Sequence, residues 1–413
     1  MALNARALVA LVALSTLAAC APHRAPATWT NPHAAEPIGT VRQMYDGTLS
    51  AELAVTTFRN IDRLFPSRVV ARSPTATPLP AGTPLTAPVL CSAGSQVVSL
   101  DEYVRVNRVS GLLVLKDGRV VLERYAFGNT PRTHWMSMSI AKSVTSTLIG
   151  IALAEGRIAS LDDSVTRYVP SLAGSAYAGV SVRQVLMMAS GVRWNETYTD
   201  SSSDRRHLLE AQVAQRPGDA LALMGSLPRA ATPGTVWNYS TGETLVAGEI
   251  VRGAVGVPLA DYLGEKLWKP LGMESEATWW LDSPDGHEIA GSGLTATLRD
   301  YARFGQFVLD DGVIGGRRIV PAGWFAEAGS PKSLPNGRTQ PYGYMWWPVA
   351  APAGSVHEGA FSAQGIFGQY LYVNPRDRVV IAQWSAQVKP SGGEVIDPDA
   401  CFGAITAALR PGR

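Results

Sequence analysis

Cysteine is scarce in this chain: Cys20, Cys91 and Cys401 are the only three. Thiols so few and so far apart exclude a cysteine-rich metal site and a disulfide-framed miniprotein. Histidine is hardly commoner, with six in 413 residues. None stands in a His-Glu-x-x-His pattern, because Phe361 follows His357-Glu358 where the second histidine is needed. No metal is expected. No glycine loop ends in Lys-Ser or Lys-Thr to cradle a phosphate, and no cofactor is expected either. Gly-x-Ser-x-Gly is also missing, which removes the strand–turn–helix serine elbow. Charged residues make up only 17% and the net charge is +2, with no basic run interleaved with aromatics. Nucleic acid is therefore not an expected partner. Beyond the first twenty residues, no apolar run is long enough to span a bilayer.

What is present is apolar residue in quantity, 46% of the chain, enough for one large domain or two lobes. The N-terminus reads as a targeting segment: Arg6, an apolar stretch Ala7–Ala19, then Leu17-Ala18-Ala19-Cys20. This end resembles the lipobox of bacterial lipoproteins. It implies a signal peptide over residues 1–19, lipidation of Cys20 and a membrane anchor, with Ala21 pointing to the outer membrane facing the periplasm. A cleaved signal that leaves a soluble periplasmic or secreted protein is the alternative. In an oxidising compartment the remaining pair, Cys91 and Cys401, is expected to form a disulfide, against the alternative of two buried thiols.

Residues 20–95 read as a tether and N-terminal extension, Pro-rich at both ends with a firmer segment at Thr57–Pro66. A helix is predicted near Leu100–Asn107. Gly111–Tyr125 follows as two β runs joined at Asp117-Gly118, a hairpin signal. Ser181–Ala189, Gly242–Gly253, Ala296–Asp310 and Cys401–Leu409 read as helices. Tyr342–Pro348, Gly368–Val373 and Val379–Trp384 read as strands. The expected fold is α/β: an antiparallel sheet flanked by helices, its body formed by residues 96–156 and 291–413. A mostly helical lobe, 157–290, is inserted into it.

The chemistry concentrates in Ser139-Ile140-Ala141-Lys142, which opens an apolar helical run. Three residues is nearly one turn, so Ser139 and Lys142 share a face. A serine hydroxyl needs a base to become a nucleophile. A lysine whose proton is loosened by burial can serve. The start of the helix also offers free N–H groups to an oxyanion. Tyr239, after the Pro233-Gly234 turn and before a helix, is the candidate proton relay. Its ordinary pKa near ~10 calls for a nearby lysine cation to ease deprotonation. Trp346, Trp347 and Tyr344 are candidates for an apolar substrate pocket, with packing in the core as the competing role.

Ser137-Met138-Ser139-Ile140-Ala141-Lys142-Ser143 and Tyr239-Ser240-Thr241 resemble the two leading motifs of the class C serine β-lactamase and penicillin-binding-protein-like superfamily. The chain most resembles its 6-aminohexanoate-dimer hydrolase and carboxylesterase branch, from about Thr57 to the C-terminus. Asn195-Glu196-Thr197-Tyr198 is similar to the segment carrying a second tyrosine that assists an amide leaving group. Gly365-Ile366-Phe367-Gly368-Gln369 is similar to the strand whose N–H completes the oxyanion hole. The resemblance thus implies an oxyanion hole from Ser139 and Ile366 and substrate contact at Tyr198; Trp346 is the aromatic expected to bind substrate from its place in the sequence. The Lys-Thr-Gly triad is absent; His357-Glu358-Gly359 is nearby but spaced differently. Where dimer hydrolases hold the substrate's ammonium with an Asp, ungapped matching puts Leu209, with Glu210 adjacent. The implied function is hydrolysis of a small-molecule ester or amide through an acyl-enzyme on Ser139. The alternatives are a β-lactamase, DD-peptidase or acyltransferase, and a non-catalytic periplasmic binding protein. Oligomeric state is left open.

Overall fold

The computed structural model of the chain describes residues 30–410. The signal segment, Cys20 and the first part of the tether lie outside them. From Asn31 onward the chain forms one body.

Its framework is a six-stranded antiparallel sheet in the order Trp347–Pro348, Phe361–Gly365, Gln369–Asn374, Val379–Ser385, Val109–Lys116, Arg119–Tyr125. The Asp117-Gly118 hairpin forms as read. Both turn residues have positive φ, 51° and 74°, which suits a tight two-residue connection between twisted strands. Alternation along the strands divides the core. Leu113, Leu115, Leu371 and Val380 face the Leu298–Leu309 helix, with the Ile140–Ala154 helix nearer the Phe361 edge. Leu112, Val114, Tyr372 and Ile381 face Tyr103 of Leu100–Val106 and Phe402 and Ile405 of Pro398–Ala408. Helices thus cover both faces.

The lobe carries helices Val182–Leu186, Asp204–Ala214, Asp219–Ser226 and Thr241–Val255, the last packed against Ile140–Ala154. It also contains a strand, Ala277–Trp280. This strand joins Ser67–Val70, Leu294–Thr297 and His134–Met136 in a second, four-stranded antiparallel sheet.

Two expectations need correction. The stretch ahead of residue 96 is not all tether. Thr40 and Ser50 cap helices Val41–Asp46 and Ala51–Phe58. Met44, Tyr45, Phe58 and Ile61 of this stretch are fully buried, and Ser67–Val70 is a sheet strand. The apolar spacing Val41, Met44, Tyr45 and then Val55, Phe58 is what commits it to the core. The Tyr342–Pro348 run is strand only at Trp347–Pro348, because Met345 takes a φ of 60° and breaks the extended backbone.

Cys91 and Cys401 are joined by a disulfide between residues 310 apart, with both side chains fully buried. It ties the Leu90–Ala93 strand to the last helix. Closing so long a loop constrains the unfolded chain, a gain of about 3–5 kcal/mol. The double variant Cys91→Ala/Cys401→Ala is expected to unfold at clearly lower denaturant, with the same spectroscopic native state. An unchanged midpoint would show that the bridge contributes nothing.

Candidate active site

The strand His134–Met136 delivers the chain into a tight turn before the Ile140–Ala154 helix. Ser137 fixes that turn: its N–H and its hydroxyl both donate to the Leu294 carbonyl, at 3.0 and 2.7 Å. Met138 then adopts a φ of 45°, uncommon for a residue with a side chain. Ser139 occupies the N-cap position with φ −71° and ψ −3°, and its side chain makes no capping bond. A capping serine turns its oxygen back onto the helix N–H groups. Ser139 does not, and its Oγ lies 2.8 Å from Lys142 Nζ.

Lys142 is 1% exposed. Its Nζ donates to the Gly291 carbonyl at 2.9 Å and lies 5.3 Å from the centre of the Tyr239 ring. Burial brings its pKa down to about 7; the carboxylate of Glu196 opposes the shift and the Arg205 cation assists it. At neutral pH a large fraction of Lys142 is free amine, able to take a proton from Ser139.

Tyr239 sits just before the Thr241–Val255 helix and lines the same cleft as Ser139. Its ring stacks on Trp347 at 5.4 Å and meets Tyr342 edge-on at 5.7 Å. Burial, reinforced by the charge of Glu196, raises its pKa, while the Ser139 hydroxyl works the other way. The expectation of a lysine cation easing its ionisation is thus reversed. Tyr239 is a protonated phenol, suited to donating and relaying a proton beside a free-amine lysine.

The sheet edge supplies the remaining element. Phe361–Gly365 ends against the Ser139 turn, and a Cβ on Gly365 would lie 2.4 Å from Ser137 O and 3.1 Å from Ser139 N. Only glycine permits this approach. Ile366 follows, and then Phe367 and Gly368 turn the chain with φ 68° and 84°. Gln369 staples this turn, accepting from Trp135 Nε1 and donating to Phe367 O and Ser385 O. Neither Ser139 N–H nor Ile366 N–H has an acceptor among the described residues. Both residues line one cleft of about 670 Å³, together with Tyr239, Tyr198 and Trp347.

The structure therefore brings Ser139, Lys142, Tyr239, Ile366 and Tyr198 together. Trp346 does not join them. It is fully buried against Phe304, Phe325 and Phe361, and Trp347 forms the cleft wall in its place. Adjacent residues in extended backbone point opposite ways, so a one-residue difference exchanges wall for core. Tyr344 is likewise buried, its hydroxyl accepting from Arg183. Leu209 is fully buried, and Glu210 pairs with Arg42 at 2.6 Å outside the cleft. His357 contacts the Tyr372 hydroxyl at 3.0 Å and is not among the cleft residues.

Several wall residues escaped sequence reading. Glu196 stood inside the segment singled out for Tyr198. Gln364 precedes the glycine–isoleucine pair. Glu394 and the Pro390–Gly392 loop had no signal, because long-range packing alone carries them to the cleft.

A Beta-lactamase family model matches residues 102–401. The 6-aminohexanoate-dimer hydrolase of Paenarthrobacter ureafaciens is 31% identical over 350 residues, covering 81% of this chain and 85% of that protein. A Bacillus anthracis structure provisionally described as a 6-aminohexanoate-dimer hydrolase superposes with a TM-score of 0.75 at 23% identity, over 86% of this chain and 92% of that one. A family VIII carboxylesterase shares the fold at a TM-score of 0.56 and 18% identity, over 73% of this chain and 91% of that one. The chain belongs to the Beta-lactamase family and is a homologue of 6-aminohexanoate-dimer hydrolase.

Proposed function

We propose that this protein is a serine hydrolase that cleaves a small ester or amide through an acyl-enzyme on Ser139. The observation that carries the reading is the 2.8 Å approach of Ser139 Oγ to a buried lysine of pKa about 7. Ser139 Oγ bonds to the substrate carbonyl carbon while its proton passes to Lys142 Nζ. The N–H groups of Ser139 and Ile366 receive the oxyanion; one such donor is worth about 2.7–4 kcal/mol in the transition state. As the tetrahedral carbon collapses, the bond to the alcohol or amine breaks. The leaving atom takes the Tyr239 phenol proton, and Lys142 returns its own proton to Tyr239. Water then attacks the acyl group, with Lys142 as base, and Ser139 recovers its proton.

Two features bear on the substrate. Among the described residues, the cleft wall holds carboxylates, Glu196 and Glu394, and no Arg, Lys or His side chain. A substrate carboxylate, as β-lactams carry, meets no cation there, which favours neutral or amine-bearing esters and amides. Tyr198 lies in the wall, and burial and the Glu196 charge hold its phenol proton firmly. It is a second donor for a poor, amine leaving group. The lipobox-like N-terminus, together with the Cys91–Cys401 bridge, supports a periplasmic lipoprotein.

The test is a panel of p-nitrophenyl esters, p-nitroanilides and a chromogenic cephalosporin. Esters and anilides are expected to turn over, and the cephalosporin slowly or not at all. Tyr198→Phe is expected to lose about 10-fold in kcat on anilides and little on esters, since an aryl alcohol departs without a proton. Equal losses on both would remove Tyr198 from the leaving-group step. Fast cephalosporin turnover with inert esters would reassign the substrate class.

A further inference from the structure

Glu196 of the cleft wall forms an ion pair with a buried arginine that has no part in the reaction above. Arg205, at the start of the Asp204–Ala214 helix, is 3% exposed, with Nε 4.0 Å from Glu196 Oε1. The Glu196 carboxylate is otherwise saturated. It accepts from Thr241 N at 2.9 Å, from the Thr241 hydroxyl and from Trp194 Nε1. It therefore ties the Tyr198 segment to the helix that starts two residues after Tyr239. The guanidinium is held from behind by Tyr45, which accepts its hydrogen bond and lies under it at 4.5 Å. Next to it, Arg206 bridges Asp46 at 2.7 Å and the Tyr198 carbonyl at 3.1 Å. Tyr45 and Asp46 belong to the Val41–Asp46 helix, outside the residues 102–401 that the family model matches.

We propose that the Glu196–Arg205 pair, steadied by Tyr45 of the N-terminal segment, is a positioning element that balances charge at Lys142 and anchors the Tyr198 segment. The proposal rests on Lys142 acting as the base. The groups around Lys142 are the Ser139 and Tyr239 hydroxyls, the Gly291 carbonyl, Glu196 and Arg205. Tyr198 and Tyr45 stand further back, and Glu243 is buried against Ser190 within the Thr241 helix. Of these, only Glu196 and Arg205 carry opposite full charges that act on Lys142. At 4.0 Å the pair is coupled without hydrogen-bond contact. Burial is the largest influence on Lys142; against it the Glu196 charge favours the ammonium, and the Arg205 charge disfavours the ammonium.

The test follows the rate at which a fluorophosphonate labels Ser139 as a function of pH. The full-length protein is compared with Glu196→Gln, Arg205→Gln and the double variant. Glu196→Gln is expected to move the midpoint of the rise to lower pH and Arg205→Gln to higher pH, each by about half to one unit. The double variant returns towards wild type. A merely structural role lowers rates without moving midpoints in opposite directions. Midpoints that stay put, or move the same way, overturn the proposal. Should Arg205→Gln not fold, the direction of the Glu196→Gln shift decides. Labelling that persists in Ser139→Ala would instead refute the catalytic reading beneath it.

Discussion

Ser139→Ala is expected to abolish turnover of every ester and amide that the wild type cleaves, by roughly 10⁴-fold or more, while the protein folds normally. The argument is geometric. Ser139 Oγ, the proposed nucleophile, lies against Lys142, and its hydroxyl caps no helix. Its removal therefore deletes the attacking atom without orphaning the backbone. Lys142 keeps its bond to Gly291 O, so the change in stability is held to about 1 kcal/mol. Steady-state rates and a denaturant melt on the same preparation check both halves. Near-wild-type activity on any good substrate would end the assignment.

The second large effect belongs to Lys142. Lys142→Ala is expected to lose about 10²–10⁴-fold in kcat/KM, the usual contribution of a positioned base. The wild-type pH profile carries the same information. Burial lowers the lysine pKa from its ordinary 10.5 to about 7, so the amine is free above that value and charged below it. Activity should therefore rise through about pH 7 and be largely lost two units lower. Tyr239 cannot supply this limb, because its proton is held above the usual phenol range. A profile flat from pH 5 to 9 would contradict a lysine base, as would one that Lys142→Ala leaves unchanged in shape.

The parts of the site legible in the sequence are those set by short-range spacing. Ser139 and Lys142 are one helical turn apart, and the Asp117-Gly118 hairpin needs only its two turn residues. Tyr239 is legible from its place between a Pro-Gly turn and a helix; Tyr198 and Ile366 are visible only through motif resemblance, since they come from distant segments that only the folded lobe and sheet edge bring together. What stayed hidden depends on side-chain direction or on long-range packing. Trp346 and Trp347 are adjacent, and only side-chain direction separates the core position from the cleft wall. Glu394 reaches the wall through a loop whose course no local pattern specifies. The Val41–Asp46 helix is masked in the sequence by the Pro-rich stretches around it, yet it carries the tyrosine behind Arg205. Under the proposal above, that contact makes the N-terminal segment part of the site's support as well as of the core.

The most direct test of the account is intact-mass and peptide analysis after brief exposure to a slowly deacylating p-nitrophenyl ester at pH 7.5. The account predicts one acyl group per chain, on the peptide containing Ser139, formed at the rate of the p-nitrophenol burst. Its absence in Ser139→Ala is equally required. Turnover without a covalent species, or an acyl group mapped to any residue other than Ser139, would contradict it.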